Sequence, residues 1–151
     1  MTERVRGCYF EELATDQEHI SPGRTITETD IVAFAALSGD WTQIHTDSEF
    51  AKDTPFGQRI AHGLLGLSVS SGLGARMGFI EGTAIAFLSL TWKFTKPVFI
   101  GDTIRLRVKM IKKRAVSPEA GIVFFDAAVL NQRDEVTQAG EWTVMVRRKK
   151  E

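Results

Sequence analysis

The sequence predicts an α+β fold in which a curled antiparallel β-sheet wraps around one long central α-helix. Two observations carry that reading. Everything after Gly82 alternates with a period of two, in four runs separated by turn signals and with no helix between them, which is the pattern of an antiparallel sheet. Ahead of those runs, the stretch from Ile60 to Met77 is apolar or small on nearly every side and carries one charge after His62, at Arg76. A helix of that composition is covered on several sides, and a long sheet curling around it provides the cover.

Taken in order, the elements begin with a short first one over Tyr9 to Leu13, set apart from the next by the turn signal Ser21-Pro22-Gly23. Thr27-Glu28-Thr29-Asp30 reads as a capping box, with Thr27 capping the first amides and Asp30 facing the positive helix end. The helix beyond it carries Ile31, Phe34, Ala35 and Leu37 as its buried stripe, and Gly39 stands where a left-handed cap is wanted. The central helix reads from Ile60, with His62-Gly63 at its start. Its glycines at 63, 66, 72 and 74 each cost about 1 kcal/mol in a helix interior, so tertiary packing has to offset them. In the sheet, Ala86, Leu88, Leu90, Trp92 and Phe94 share one face, and Ser89, Thr91 and Lys93 the other. Ile104, Leu106, Val108 and Met110 alternate with Arg105, Arg107 and Lys109. Residues 122–130 are apolar on nearly both faces, and Trp142, Val144 and Val146 form the last alternating set. Pro97, Gly101-Asp102, Ser117-Pro118, Gly121 and residues 131–135 mark the turns, with Asp102 read as a hairpin-turn residue. The open edges of such a sheet invite pairing, which predicts a homodimer with an isologous contact.

At 151 residues, one domain spanning 1–151 is expected. Formal net charge is zero, so no overall field favours nucleic acid. Charge is uneven: residues 1–100 hold 8 basic and 12 acidic side chains and residues 101–151 hold 11 and 7. The net +4 of the C-terminal third suits a phosphate-bearing ligand, although basic residues on the wet face of strands explain it as well. Cys8 is alone, which excludes a disulfide framework or a cysteine metal site within one chain. The N-terminus lacks the apolar run of a signal peptide and no stretch is apolar for long enough to cross a bilayer, so a cytoplasmic location with no membrane partner is expected.

The densest chemistry lies at Ser38-Gly-Asp-Trp-Thr-Gln-Ile-His45, with Ile60-Ala-His-Gly63 downstream. Asp40 and His45 stand five residues apart directly after a helix-ending glycine, and His62-Gly63 opens the next helix. Alone, Asp40 reads as an N-cap and His45 as a structural histidine; the pair with Gly63 downstream points to catalysis. His62 could bind ligand, with Gly63 and Ser71, but reads first as a residue that orients the loop or helix start, while Asp47 and Asp53 read as solvated or capping groups. Three histidines without metal-ligand spacing give no zinc site, and neither a phosphate loop nor a serine nucleophile elbow is present.

Phe34 to Ala51, Ile60 to Leu65, Phe94 to Thr103 and Asn131-Gln132 together resemble the MaoC-like dehydratases and (R)-specific enoyl-CoA hydratases. The resemblance runs from Tyr9 over nearly the whole chain and implies a hotdog fold, dimers or multiples of them, and addition of water to trans-2-enoyl-CoA. By position it implies that Asp40 and His45 are the catalytic pair, that the Gly63 amide binds the thioester oxygen, and that Ser71 matches a serine near the aspartate. No cofactor is implied beyond the CoA thioester substrate. One departure stands out: Thr42-Gln43 occupy the positions of the family's Asn-Pro, which removes a stiffening proline from the loop.

Hydration of an enoyl thioester needs a base for water, a proton for Cα and donors for the developing oxyanion. Asp40 can take water's proton and His45 can orient that water and exchange protons near neutral pH. The first turn of the central helix offers free amides, with Gly63 unobstructed. Two other outcomes share this architecture: a hotdog thioesterase, and a non-catalytic acyl-CoA-binding or partner subunit.

Overall fold

The computed structural model describes residues 6–150. The N-terminal stretch through Val5, part of that read for a leader, lies outside them. Ten elements run in order: β1 (Glu18–Ile20), β2 (Arg24–Thr25), α1 (Glu28–Ser38), α2 (Gln43–Thr46), α3 (Ser48–Lys52), α4 (Gly63–Arg76), β3 (Ala84–Phe94), β4 (Thr103–Ala115), β5 (Ala120–Leu130) and β6 (Val136–Arg147). The sheet runs β1-β4-β5-β6-β3, with β2 also on β4, and every pairing is antiparallel. The α+β architecture is the expected one, with α4 packed on the inner face of the sheet. No helix among the described residues is long and apolar enough to cross a membrane.

Local sequence accounts for the first helix. Thr27 Oγ1 accepts from Asp30 N at 3.3 Å and Asp30 Oδ2 accepts from Thr27 N at 2.9 Å, a reciprocal capping box. Gly39 ends the helix at φ 77°, the left-handed conformation glycine adopts at little cost. The inner face of the sheet is built mainly by β4, β5 and β6. Ile104, Leu106, Val108 and Met110 are buried in alternation with half-buried basic residues, and Val123, Phe125, Val129, Trp142, Val144 and Val146 complete that layer. The basic face of β4 is spent on acids: Arg105 pairs with Asp134, Lys109 with Asp16 at 3.2 Å and Arg107 with Glu18 at 4.0 Å. The solvated-face explanation of the C-terminal charge therefore fits these three residues.

Several expectations are corrected. Tyr9 to Leu13 is a turn, closed by Glu12 N donating to Tyr9 O, and it plugs the core with Phe10 and Leu13. The central helix starts at Gly63 rather than Ile60, because Ile60 bridges Phe99 and Ala61 N donates to Val98 O at 2.8 Å, holding the segment extended. Leu37 is 85% exposed and leaves the α1 stripe to Ile31, Ala35 and the partly buried Phe34. In β3 the alternation breaks at two register shifts, between Ala84 and Ala86 and between Phe87 and Ser89. Each bulge inserts a residue and reverses the facing beyond it. Phe87 therefore sits opposite Val144, as Leu90 sits opposite Trp142, and Ala86 and Leu88 leave that face. Finally, α4 is covered on one side only. Leu65, Gly66, Val69, Ser70 and Leu73 are buried, whereas Leu64 is 59% exposed and Ser68, Ser71 and Gly72 are exposed as well.

Candidate active site

The loop after α1 delivers Asp40, the single turn α2 delivers His45, and the residue that caps α4 is His62. A carboxylate oxygen of Asp40 and one ring nitrogen from each histidine lie within 4.8 Å of one another. Residues 22 positions apart in sequence are thus brought to one spot, and linear spacing alone does not reveal this three-residue cluster. The His45 and His62 rings stack with centroids 3.9 Å apart and planes 28° apart. A metal ion sits in the plane of each imidazole it binds, and these two stacked planes do not converge on one ion.

Hydrogen bonds set the tautomers. His45 Nδ1 lies 2.8 Å from Ile60 O, so this nitrogen carries the proton of a neutral ring and Nε2 is left as an acceptor. His62 is 2% exposed, and its Nε2 donates to Asp40 O at 2.9 Å, leaving the buried Nδ1 without a partner among the described residues. Through that bond His62 grips the backbone of the residue that carries the carboxylate. Burial holds the His45 ring below its ordinary value of 6.5; the Ile60 carbonyl pushes back, His62 adds to the lowering and Asp40 opposes it. Asp40 is exposed, and Thr42 donates to its Oδ1 twice, from Oγ1 at 2.5 Å and from N at 3.1 Å. The Thr42 side-chain and backbone bonds hold the Asp40 carboxyl below its ordinary value.

Beside the cluster opens a cavity of about 440 Å³ whose wall includes His45, Phe56, Gly63, Leu64, Phe94 and Gln138. Asp40 is not part of that wall, although its carboxylate lies within 4.8 Å of the His45 ring nitrogen. The Gly63 and Leu64 amides, in the first turn of α4, find no acceptor among the described residues. Glycine at 63 is also demanded by packing, since a Cβ there would lie 2.7 Å from the Phe94 ring. Gln138, buried on β6, ties this helix start to the sheet: its Nε2 donates to Gly63 O at 3.1 Å, and its Oε1 accepts from Trp92 Nε1 at 2.9 Å.

The structure does not bring Ser71 to this cluster. It stands eight residues beyond Gly63, about 12 Å along the helix axis at 1.5 Å per residue. It is exposed, lines a different cavity with Trp142, and donates from Oγ to Ser68 O. Sequence reasoning also misses residues that shape the site. Thr42 stands out in the sequence only as a departure, although a hydroxyl two residues after an aspartate is a known local partner. Arg59, whose Nε donates to His45 O at 2.6 Å while Nη1 meets both Glu28 carboxylate oxygens, gives no local signal, and neither does Gln138.

The family model described as a MaoC like domain matches residues 11–124. The chain belongs to the MaoC-like family. Among its relatives is a 3-hydroxybutyryl-CoA dehydratase of Methylorubrum extorquens, 36% identical over 153 aligned positions that take in 100% of this chain and 92% of that protein. An (R)-specific enoyl-CoA hydratase of Rhodospirillum rubrum is 36% identical over 139 positions, 91% of each chain. A solved structure of a monoamine oxidase regulatory protein from Archaeoglobus fulgius superposes with a TM-score of 0.89 at 35% identity, covering 95% of this chain and 97% of that one. The sheet curled on α4 is the hotdog fold. In this MaoC-like chain the loop without Asn-Pro is stiffened by other means: Thr42 braces Asp40, and Thr46 Oγ1 donates to Trp41 O at 3.0 Å.

Proposed function

We propose that the chain is a hydro-lyase that reversibly hydrates trans-2-enoyl-CoA to the (R)-3-hydroxyacyl-CoA. The observation that carries this reading is the Asp40 carboxylate and His45 imidazole within 4.8 Å of each other, with His45 and the unpaired Gly63 amide on one cavity wall. Full-length relatives named for this chemistry support it.

In the reaction, the thioester oxygen takes the Gly63 N–H, and removal of one such donor elsewhere costs about 2.7–4 kcal/mol. Water bridges Asp40 and His45, making a hydrogen bond to the bare His45 Nε2 through the hydrogen it keeps, and its oxygen attacks Cβ. Asp40 takes the other proton as the C–O bond forms, and electron density moves to the thioester oxygen. Asp40 passes that proton to His45 Nε2, and the ring delivers it to Cα as the enolate collapses. Every proton and electron pair is accounted for, so no cofactor is required. His62 acts through Asp40, by holding its carbonyl.

The working unit in this reading is a homodimer. The edge strand β3 has Phe87, Leu88, Leu90 and Phe94 exposed, and Leu64 and Phe56 add apolar surface nearby; a second copy paired along β3 covers both. The test is product analysis with crotonyl-CoA. Loss of the enoyl absorbance without release of free thiol is expected. Thiol release at the same rate would make the chain a thioesterase, and no change in either signal would leave it an acyl-binding subunit.

A further inference from the structure

Of the side chains lining the cavity with His45 and Gly63, Lys96 alone is a permanent cation, and no carboxylate shares that wall. Other basic groups close by are committed: Arg59 is nearly buried between His45 O and Glu28, and the basic row of β4 faces its own acids. The Lys96 backbone is held firmly, with Lys96 N donating to Thr137 O at 3.1 Å and Pro97 next in the chain.

The partner of Lys96 is arranged so that the lysine can leave. Lys96 Nζ meets Glu135 Oε1 at 2.7 Å, whereas Asn131 Nδ2 and Arg133 Nε both donate to Glu135 Oε2, at 2.8 and 2.9 Å. Glu135 therefore keeps two donors on one oxygen when Lys96 withdraws from the other. Those bonds, Asn131 first, then Lys96 and Arg133, hold the Glu135 carboxyl down at about 2, and two of the three do not involve the lysine. Half-exposed pairs of this kind are weak, and a phosphate offers Lys96 a charge-assisted bond in exchange.

Resting on the hydratase reading, we propose that Lys96 swings from Glu135 to bind a phosphate of the pantetheine carrier, and so sets the preference for phosphate-bearing thioesters. The flexible four-carbon stem and point charge of lysine suit that swing. Arg133 remains neutralised by Glu135, so one positive charge is released at the cavity edge for each carrier bound.

The experiment compares wild type, Lys96→Ala and Lys96→Arg. It measures binding of CoA and of pantetheine by calorimetry, and hydration of their crotonyl thioesters together with crotonyl-4′-phosphopantetheine. Lys96→Ala is expected to weaken CoA binding about tenfold and to raise KM for crotonyl-CoA to match, with kcat and the pantetheine values unchanged. Lys96→Arg should restore most of the loss. A matching penalty on the phosphopantetheine thioester assigns the contact to the 4′-phosphate, and a penalty on CoA alone assigns it to the nucleotide phosphates. Equal weakening of CoA and pantetheine, or weakening of neither, overturns the proposal. Lys96-dependent CoA binding without any hydration would uphold the phosphate contact and sink the hydratase reading instead.

Discussion

The two flanks of the sheet are finished in opposite ways. On the β4 side, β1 and β2 cover the edge, acids answer the outward basic row, and the N-terminal turn seals the corner. There Phe10 N donates to Arg147 O, and Lys113 Nζ donates to Phe10 O and Leu13 O. On the β3 side nothing among the described residues pairs with the edge, and Phe87 and Leu90 stay 49% and 41% exposed. The closed flank resembles the boundary of an ordinary monomer, while the open flank borders, through Phe94, the cavity that holds His45 and Gly63. Covered edges and ion pairs gather at one flank and exposed apolar surface at the other, which is where the proposed homodimer would form.

The sharpest test of this division falls on the open side. Asp40→Asn and His45→Gln should each lower kcat for crotonyl-CoA by about 10²–10⁴ while circular dichroism and melting stay near wild type, because neither residue is packed in the closed flank. A matching loss of fold would erase the distinction. Next in size, Leu88→Lys combined with Leu90→Lys should turn the proposed homodimer into a monomer in size-exclusion chromatography. A dimer that survives both charges would move the partner surface away from β3.

A smaller effect concerns pH. Burial lowers the His45 pKa from 6.5, so more acid is needed to protonate the ring, and the acid limb of kcat/KM should fall below pH 6.5. A limb at or above that value would mean that the ring is not desolvated in solution. Smallest is Glu11→Gln on the closed flank. Glu11 meets Arg148 Nε at 2.8 Å and Lys149 N at 3.0 Å. The Lys149 backbone bond and then the Arg148 side chain lower its pKa from 4.5 to about 2. A depressed carboxyl stabilises the fold above its unfolded pKa, and that contribution fades as pH drops from about 4.5 toward 2. The variant should therefore melt slightly lower than wild type at neutral pH, and the gap should close through that window.

Elements governed by near neighbours are readable from the sequence. Thr27 to Asp30 and Gly39 bracket α1 because capping acts over three or four residues, and the β4 alternation is unbroken from Ile104 to Met110. Asp40, His45 and Gly63 are legible as a motif. Features that escape depend on partners far along the chain. The faces of β3 cannot be read because two bulges reset the count. The strands β1 and β2 have three and two residues, too few to show a period, and exist because β4 pairs with them. Arg59 and Gln138 reach the site across 14 and 75 positions. Ser71 is suggested by motif position alone, and helical rise carries it away from Gly63.

The chain of bonds from Trp92 through Gln138 to Gly63 has a practical consequence. It links an indole to the carbonyl of Gly63, the residue whose N–H is proposed to grip the thioester, so the enzyme carries its own optical reporter. Trp142 packs 5.8 Å from Trp92, and Trp41 stands in solvent, so a Trp41→Phe background would isolate the interior pair. Titrating that background with an acyl thioester and following its fluorescence would read occupancy of the pocket in real time, with no label attached.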